Sequence, residues 1–450
     1  MNDSVFTHTQ DQLKQLARDV LAIAKENGAT SASVEISEGS GLAVTVRKGK
    51  VETIEQNKDK GIGVTVYSGQ RRGHASTSDF SAASLRATVE AAYNIARFTA
   101  EDPAAGLPDA DLLEQKPRDL RLCYPWQIDA EEAVQIAQRC EAAAFAVDPR
   151  VTNSEGASVY VQQSHFVAAN SLGFCAGYPF SRHTLSVAPI AGRGNNMQRD
   201  DWYSSARDPK KLADPEQIGR YAAERALARL NARKLDTRTC PVLFEAPLAA
   251  GLLGAFVQAT SGGALYRKSS FLLDSLGQSI FPSHIQIVED PHLIGAVGSA
   301  PFDEEGVRTQ RRKVVDNGVL QGYFLSTYTA RKLGMQTTGN AGGSHNLELT
   351  SRQTKRADDF AGMLRKMGTG LLVTELMGQG TNYVTGDYSR GASGYWVENG
   401  VIQYPVEEIT IAGNMKDMFQ SIVAIGNDVL TRGNKSTGSI LIEKMVVAGN

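Results

Sequence analysis

Apolar residues recur every three or four positions over residues 10–27, with Leu13, Leu16, Val20 and Ile23 on one face ahead of Gly28, which predicts an amphipathic helix. Four short runs of strand-type alternation follow, at 33–37, 42–47, 61–67 and 72–76, separated by turn pairs such as Lys48-Gly49 and Ser68-Gly69. A second helical period over 82–98 turns Leu85, Val89, Ala92 and Ala96 inward. After a proline-rich connector at 101–125 the plan starts again. Asp129-Ala130-Glu131-Glu132 sets a capping carboxylate three residues before a glutamate, strand-like segments fill 151–202 around a loop at 191–196, and Asp214-Pro215-Glu216-Gln217 opens a closing helix. Helix, strands, helix, twice over, predicts two related α+β units, 1–118 and 119–236.

A charged connector at 231–239 leads into a region of different texture, 237–450. Glycine is frequent there, and Asp316-Asn317-Gly318 and Glu398-Asn399-Gly400 are hairpin turn signals. Helical spacing is confined to 248–260, 327–333 and 415–424. The expectation is a β-rich unit in which a curved, barrel-like, mostly antiparallel sheet wraps one buried helix. The uncharged stretch 246–266 is too short to span a membrane, because its helical part covers about 20 Å against a hydrocarbon core of about 30 Å.

Composition narrows the function classes. A net charge of −2 over 450 residues argues against a dedicated nucleic-acid binder. The N-terminus has no basic segment followed by an apolar one, so a cytoplasmic location is expected. Cys123, Cys140, Cys175 and Cys240 form no C-x-x-C pair and read as small core residues.

Chemistry is hard to find by spacing. Gly378 and Gly380 are followed by Tyr383, so the dinucleotide fingerprint lacks its third glycine, and a strand-like rather than helical segment comes next. Gly339-Asn340-Ala341-Gly342-Gly343 likewise has no Lys-Ser/Thr after it. Of the seven histidines no two share helical ligand spacing. His284 and Glu289, and His345 and Glu348, fall on opposite faces of their strands, which makes each histidine a satisfied surface or core residue. Ser389 stands outside any nucleophile elbow, and Asp303-Glu304-Glu305 reads as a solvated loop before Gly306.

Three longer motifs carry a resemblance: Leu265-Tyr266-Arg267-Lys268-Ser269-Ser270-Phe271-Leu272-Leu273-Asp274-Ser275, Phe302-Asp303-Glu304-Glu305-Gly306-Val307-Arg308-Thr309, and Gly386-Asp387-Tyr388-Ser389-Arg390-Gly391-Ala392. In these runs and over essentially its whole length the chain resembles the PmbA (TldE) branch of the TldD/PmbA family. The resemblance implies two intertwined N-terminal α+β repeats, a β-rich C-terminal domain, and a cytoplasmic metalloprotease system that trims small, unfolded peptides. It also implies two kinds of subunit. TldD-type chains carry H-E-x-x-x-H on the helix that opens the C-terminal domain and a late cysteine ligand. Here that helix reads Ala250-Gly251-Leu252-Leu253-Gly254-Ala255-Phe256-Val257-Gln258-Ala259, and no cysteine follows Cys240.

The resulting expectation is a non-zinc subunit: no metal or cofactor in this chain, zinc in a TldD-type partner, unfolded peptides as substrates, and a homodimer as an option for the isolated chain. No nucleic acid or membrane is expected to bind. Gly378, Gly380, Gly386, Asp387, Arg390, Gly391 and Gly394 are the expected peptide-contacting positions, since bare backbone lets another strand approach. Glycine that merely relieves crowding at strand bends is the rival account. A non-proteolytic regulator that binds a topoisomerase or a toxin–antitoxin partner is the alternative function.

Overall fold

The structure, a computed structural model, describes residues 5–449. It is mixed α+β. The first helix, Gln10–Glu26, begins at a capping box in which Thr9 and Gln12 exchange hydrogen bonds, and it buries Leu13, Ala17, Val20 and Ile23. Helix Ala130–Phe145 has the same device in Asp129 and Glu132. Pro215–Ala228 is capped by Asp214 with proline at its start.

The two N-terminal repeats share one seven-stranded sheet. Its centre is the antiparallel pair Ser31–Arg47 and Val151–Asn170, one strand from each repeat, and this pairing is what intertwines them. The four short strands expected in the first repeat are in fact three: Ser31–Arg47, Lys50–Ser68 and Arg71–Thr77. The polar and glycine-containing stretches 38–41 and 51–60 stay in register because the ladder between the first two strands runs through them. Gly39 and Gly41 lie opposite Asp59 and Asn57 on one side, and opposite Ser164 and Gln162 on the other.

Burial alternates along Ser31–Arg47. Val34 and Ile36 join Ile62 and Val64 beneath the helices Gln10–Glu26 and Ala82–Phe98. Ser33, Glu35 and Ser37 therefore point away from the helices, and that polar face meets the C-terminal region.

In the C-terminal region, strands Arg238–Phe244, Gly370–Met377, Asp387–Glu398, Val401–Asn414 and Ile440–Ala448 close into a barrel, the last two pairing to complete the ring. A second sheet contains Ile285–Asp290, Arg312–Asp316 and Asn346–Ser351. The helix Ala246–Ala259 lies between the two sheets, with Phe256 fully buried among Phe244, Ile285 and Ile287. This is the buried helix expected from sequence. The helix expected over 415–424 ends at Gln420, and Ile422–Ile425 is instead a strand held against Ile440, Leu441 and Ile442. None of the helices among the described residues is long and apolar enough to cross a membrane.

Residues 101–125, expected as a linker, are strapped to both regions. Leu113 bridges Val307, the Glu114 N–H donates to Gly306 O, and the Ser181 N–H donates to Leu122 O.

Candidate functional site: an interdomain cleft

The polar face of the N-terminal sheet and the loops of the C-terminal region enclose a cleft with two compartments. The larger, about 1100 Å³, has a floor that includes Glu35, Gly63, Thr65 and His74, and a rim that includes Glu305, Ser326 and Tyr328. The smaller, about 430 Å³, includes Phe166, Tyr178, Phe302, Asp303 and His345. Glu35, Ala168, Glu304 and Gly342 line both and mark where they join. The sheet register puts Glu35 beside Gly63 and Ala168, so a charged side chain stands between two positions with little or no side chain.

From the other side the wall is the segment 339–345, whose glycines carry no nucleotide motif. Gly342 has φ +93°, and a Cβ there would meet the Glu304 carboxyl carbon at 2.6 Å. This glycine lets the loop lie against Glu304.

The loop is anchored from beneath. Asp303 is buried, contrary to the solvated loop expected for Asp303-Glu304-Glu305, and it accepts hydrogen bonds from the N–H groups of Glu305, Val307 and Ala341 at 2.9, 2.9 and 3.0 Å. Burial, and then the charge of Glu305, push its carboxyl up to about 7 against those donors. Only Glu304 of the acidic run is exposed.

His345 is not an isolated core histidine. Its Nδ1 lies 2.9 Å from Glu289 Oε1, a hydrogen-bond contact across 56 residues of sequence. Glu289, 1% exposed, also accepts from Arg312 Nε at 2.7 Å, Asn340 Nδ2 at 2.8 Å and the His345 N–H at 2.8 Å. Burial opposes its charge, yet the His345 hydrogen bonds and the Arg312 charge hold its carboxyl at about 2. His284 is on different business, facing Ser351 Oγ and Ile422 O. His345 is buried and Glu348 exposed, so the two do not pair, in line with their expected placement on opposite faces.

Away from the cleft lining a second set of charges ties the two regions to each other. Arg225 donates to Glu245 at 2.7 and 3.2 Å and lies 3.3 Å from Asp200, while Arg229 pairs with Glu375. The two regions are thus joined by these ion pairs and by the strap 101–125, whose residues 105–108 line the larger compartment.

The seven expected peptide-contacting positions lie outside the cleft lining. Gly391 and Gly394 are paired on both sides by strands of the same chain, Met377 and Thr410 for one, Val373 and Val406 for the other. A Cβ on Gly394 would fall 1.8 Å from Leu372 O, and one on Gly380 1.5 Å from Ser389 O. Gly378 and Gly386 have positive φ, and around Gly378 there is open space. Asp387 is exposed and Arg390 half-buried. The cleft residues Glu35, Glu304 and His345 were not among the expected site positions.

The chain matches three consecutive family domains: PmbA/TldA metallopeptidase domain 1 over 32–96, the central domain over 123–230 and the C-terminal domain over 237–449. It is 48% identical to Metalloprotease PmbA of Escherichia coli O157:H7 over 95% of this chain and 94% of that protein. It is 45% identical to the Haemophilus influenzae PmbA homolog over 100% and 99% of the two chains. A TldD homolog from H. influenzae is more distant, 24% identical over 82% of this chain and 80% of that one. Among solved structures, a Bacteroides thetaiotaomicron protein described as a modulator of DNA gyrase superposes with a TM-score of 0.91 at 28% identity, covering 98% of this chain and all of that one. TldE from Thermococcus kodakarensis, at 18% identity, shares the fold with a TM-score of 0.83, covering 96% of this chain and all of that one.

The word metallopeptidase implies a bound metal ion, and the residues here do not fit one. Among the described residues no three His, Cys, Asp or Glu side chains converge to hold a metal. The helix that opens the C-terminal region, Ala246–Ala259, contains neither histidine nor acid. With all three domains matched in order and relatives close to half identical along its length, the chain belongs to the PmbA/TldD metallopeptidase family.

Proposed function

We propose that this chain is the metal-free subunit of a cytoplasmic TldD/PmbA-type peptidase complex, in which a TldD-type partner supplies zinc and this chain holds part of an unfolded peptide in its interdomain cleft. The observation that carries the reading is the combination of a large polar cleft with no metal-ligand cluster among the described residues. Zinc hydrolysis needs a metal-bound water and a carboxylate in register, and neither is supplied at the helix Ala246–Ala259. What this chain does supply is a groove floored by a sheet face, with polar side chains at alternate positions for a peptide to lie across. Within this reading the glycine-rich segment is a second contact, at Gly378 and along Asp387, Arg390 and Gly391. Gly380, Gly386 and Gly394 shape that wall from behind.

The test is reconstitution. The purified chain should contain no stoichiometric zinc and be inert toward unfolded peptides, and should raise cleavage when mixed with an H-E-x-x-x-H-bearing partner. Chelation should abolish the mixture's activity. Robust cleavage by this chain alone, with no partner copurifying, refutes the reading. The description of the B. thetaiotaomicron relative favours a second reading, a regulator that contacts a topoisomerase without proteolysis. It predicts a pull-down of gyrase or another topoisomerase in place of a zinc-bearing partner.

A further inference from the structure

The smaller compartment of the cleft differs in chemistry from the larger. Phe166, Tyr178 and Phe302 form an aromatic wall, with ring centroids 4.7, 5.5 and 6.1 Å apart. Glu35, Asp59 and Glu304 also line it, and among the described residues none of their carboxylates makes a hydrogen bond or an ion pair with a cation. No lysine or arginine is part of the lining. Arg207 lies 5.8 Å from the centre of the Phe180 ring and donates to the carbonyls of Ser181, Ala296 and Val297. Glu38 is already tied to His8 and His165, and Asp303 to three backbone N–H groups.

His345 adds an independent feature. It is 7% exposed and lines the same compartment. The carboxylate of Glu289 only accepts, so Nδ1 carries the hydrogen that joins them. In the neutral ring Nε2 is then a lone-pair acceptor, and among the described residues nothing donates to it. The compartment therefore offers acceptors and aromatic faces, and no donor side chain of positive charge.

The geometry points to a subsite for a basic side chain: the compartment receives an arginine or lysine of the bound peptide, whose N–H groups donate to His345 Nε2 and the free carboxylates while its stem and cation lie against the aromatic wall. Acidic residues are rejected by the same unpaired carboxylates. This assignment rests on the reading of the cleft as a peptide groove.

The test uses the purified chain and unstructured peptides with blocked termini, identical except for arginine, lysine or glutamine at one position, titrated calorimetrically at pH 8. The arginine and lysine peptides should bind about tenfold more tightly than the glutamine peptide, with the advantage shrinking at high salt. Glu304→Gln alters an exposed side chain and should weaken the arginine and lysine peptides several-fold more than the glutamine peptide, removing most of that advantage. Equal binding of basic and neutral peptides by the unaltered chain overturns the subsite and leaves the groove reading standing. An equal loss for all peptides in Glu304→Gln also overturns it. If no peptide binds, the groove reading fails and the subsite with it.

Discussion

Replacing Glu289 by glutamine tests whether the buried network behind His345 organises the cleft wall. Four donors converge on this carboxylate, from Arg312, Asn340 and both the backbone and ring of His345. Glutamine keeps the shape but removes the charge, and its amide nitrogen faces donors where an acceptor is required. The carboxyl is held at about 2 against an ordinary 4.5, and at 1.36 kcal/mol per unit that displacement corresponds to about 3 kcal/mol of stabilisation at neutral pH. The same size is expected for breaking a buried pair by removing one partner, about 3–5 kcal/mol. The expected outcome is a loss of about 3 kcal/mol in the transition that reports the C-terminal region.

The sign with pH is fixed by the direction of the shift. A carboxyl whose folded value is depressed contributes stability above its unfolded value, and that contribution fades as pH falls from about 4.5 toward 2. Urea titrations followed by tryptophan fluorescence at pH 7, 5, 4 and 3 should therefore give a difference between Glu289→Gln and the unaltered chain that is constant at the first two and shrinks at the last two. A difference below about 1 kcal/mol at pH 7, or one that grows on acidification, would refute the reasoning.

Gly394→Ala should destabilise by about 1–3 kcal/mol, because its Cβ would strike Leu372 O between two paired strands, whereas Gly391→Ala, whose Cβ would meet Met377 Cβ at 3.4 Å, should cost under about 1 kcal/mol; thermal unfolding of the two variants compares them directly. Arg225→Ala leaves Glu245 without its buried counter-charge, while Asp200 keeps Arg229 at 3.6 Å, and should cost about 3 kcal/mol while loosening the two regions, seen as an increased radius of gyration by small-angle scattering.

Most helices were legible because their signals are local, although Phe360–Met367, outside the helical spacing read in the C-terminal region, was missed. Caps at Asp129 and Asp214, and the apolar residues every three or four positions from Leu13 to Ile23, each lie within one segment, and each produced the expected element. Strand extents were less so. Residues 51–60 are exposed and mostly polar, with only Val51 and Ile54 apolar, and they are strand only because Ala43, Leu42 and their neighbours pair alongside. Ile422–Ile425 followed a helical period closely enough to be joined to one, and the deciding partner was the strand Ile440–Ala448. The cleft was harder still. Its alternating polar positions, Ser33, Glu35 and Ser37, were visible opposite Val34 and Ile36, but alternation tells only that one face is not packed under helices. Whether solvent or another region covers that face depends on residues some 270 positions away, such as Glu304.

Glycine gives the clearest case of one letter standing for several physical demands. At Gly394 the demand comes from the chain's own neighbouring strand, whose carbonyl occupies the place of a side chain. At Gly378 it is a backbone with φ +77° and free space beside it. At Gly342 it is both a positive φ and the close approach of Glu304. Only the last of these three lines the cleft. Density of glycine in the sequence therefore does not by itself separate the crowded strands of the barrel from the groove, whose lining also includes Gly39, Gly61, Gly63 and Gly343. The residues that give this groove its character, Glu35, Glu304 and His345, are joined by no short spacing that a motif search would detect.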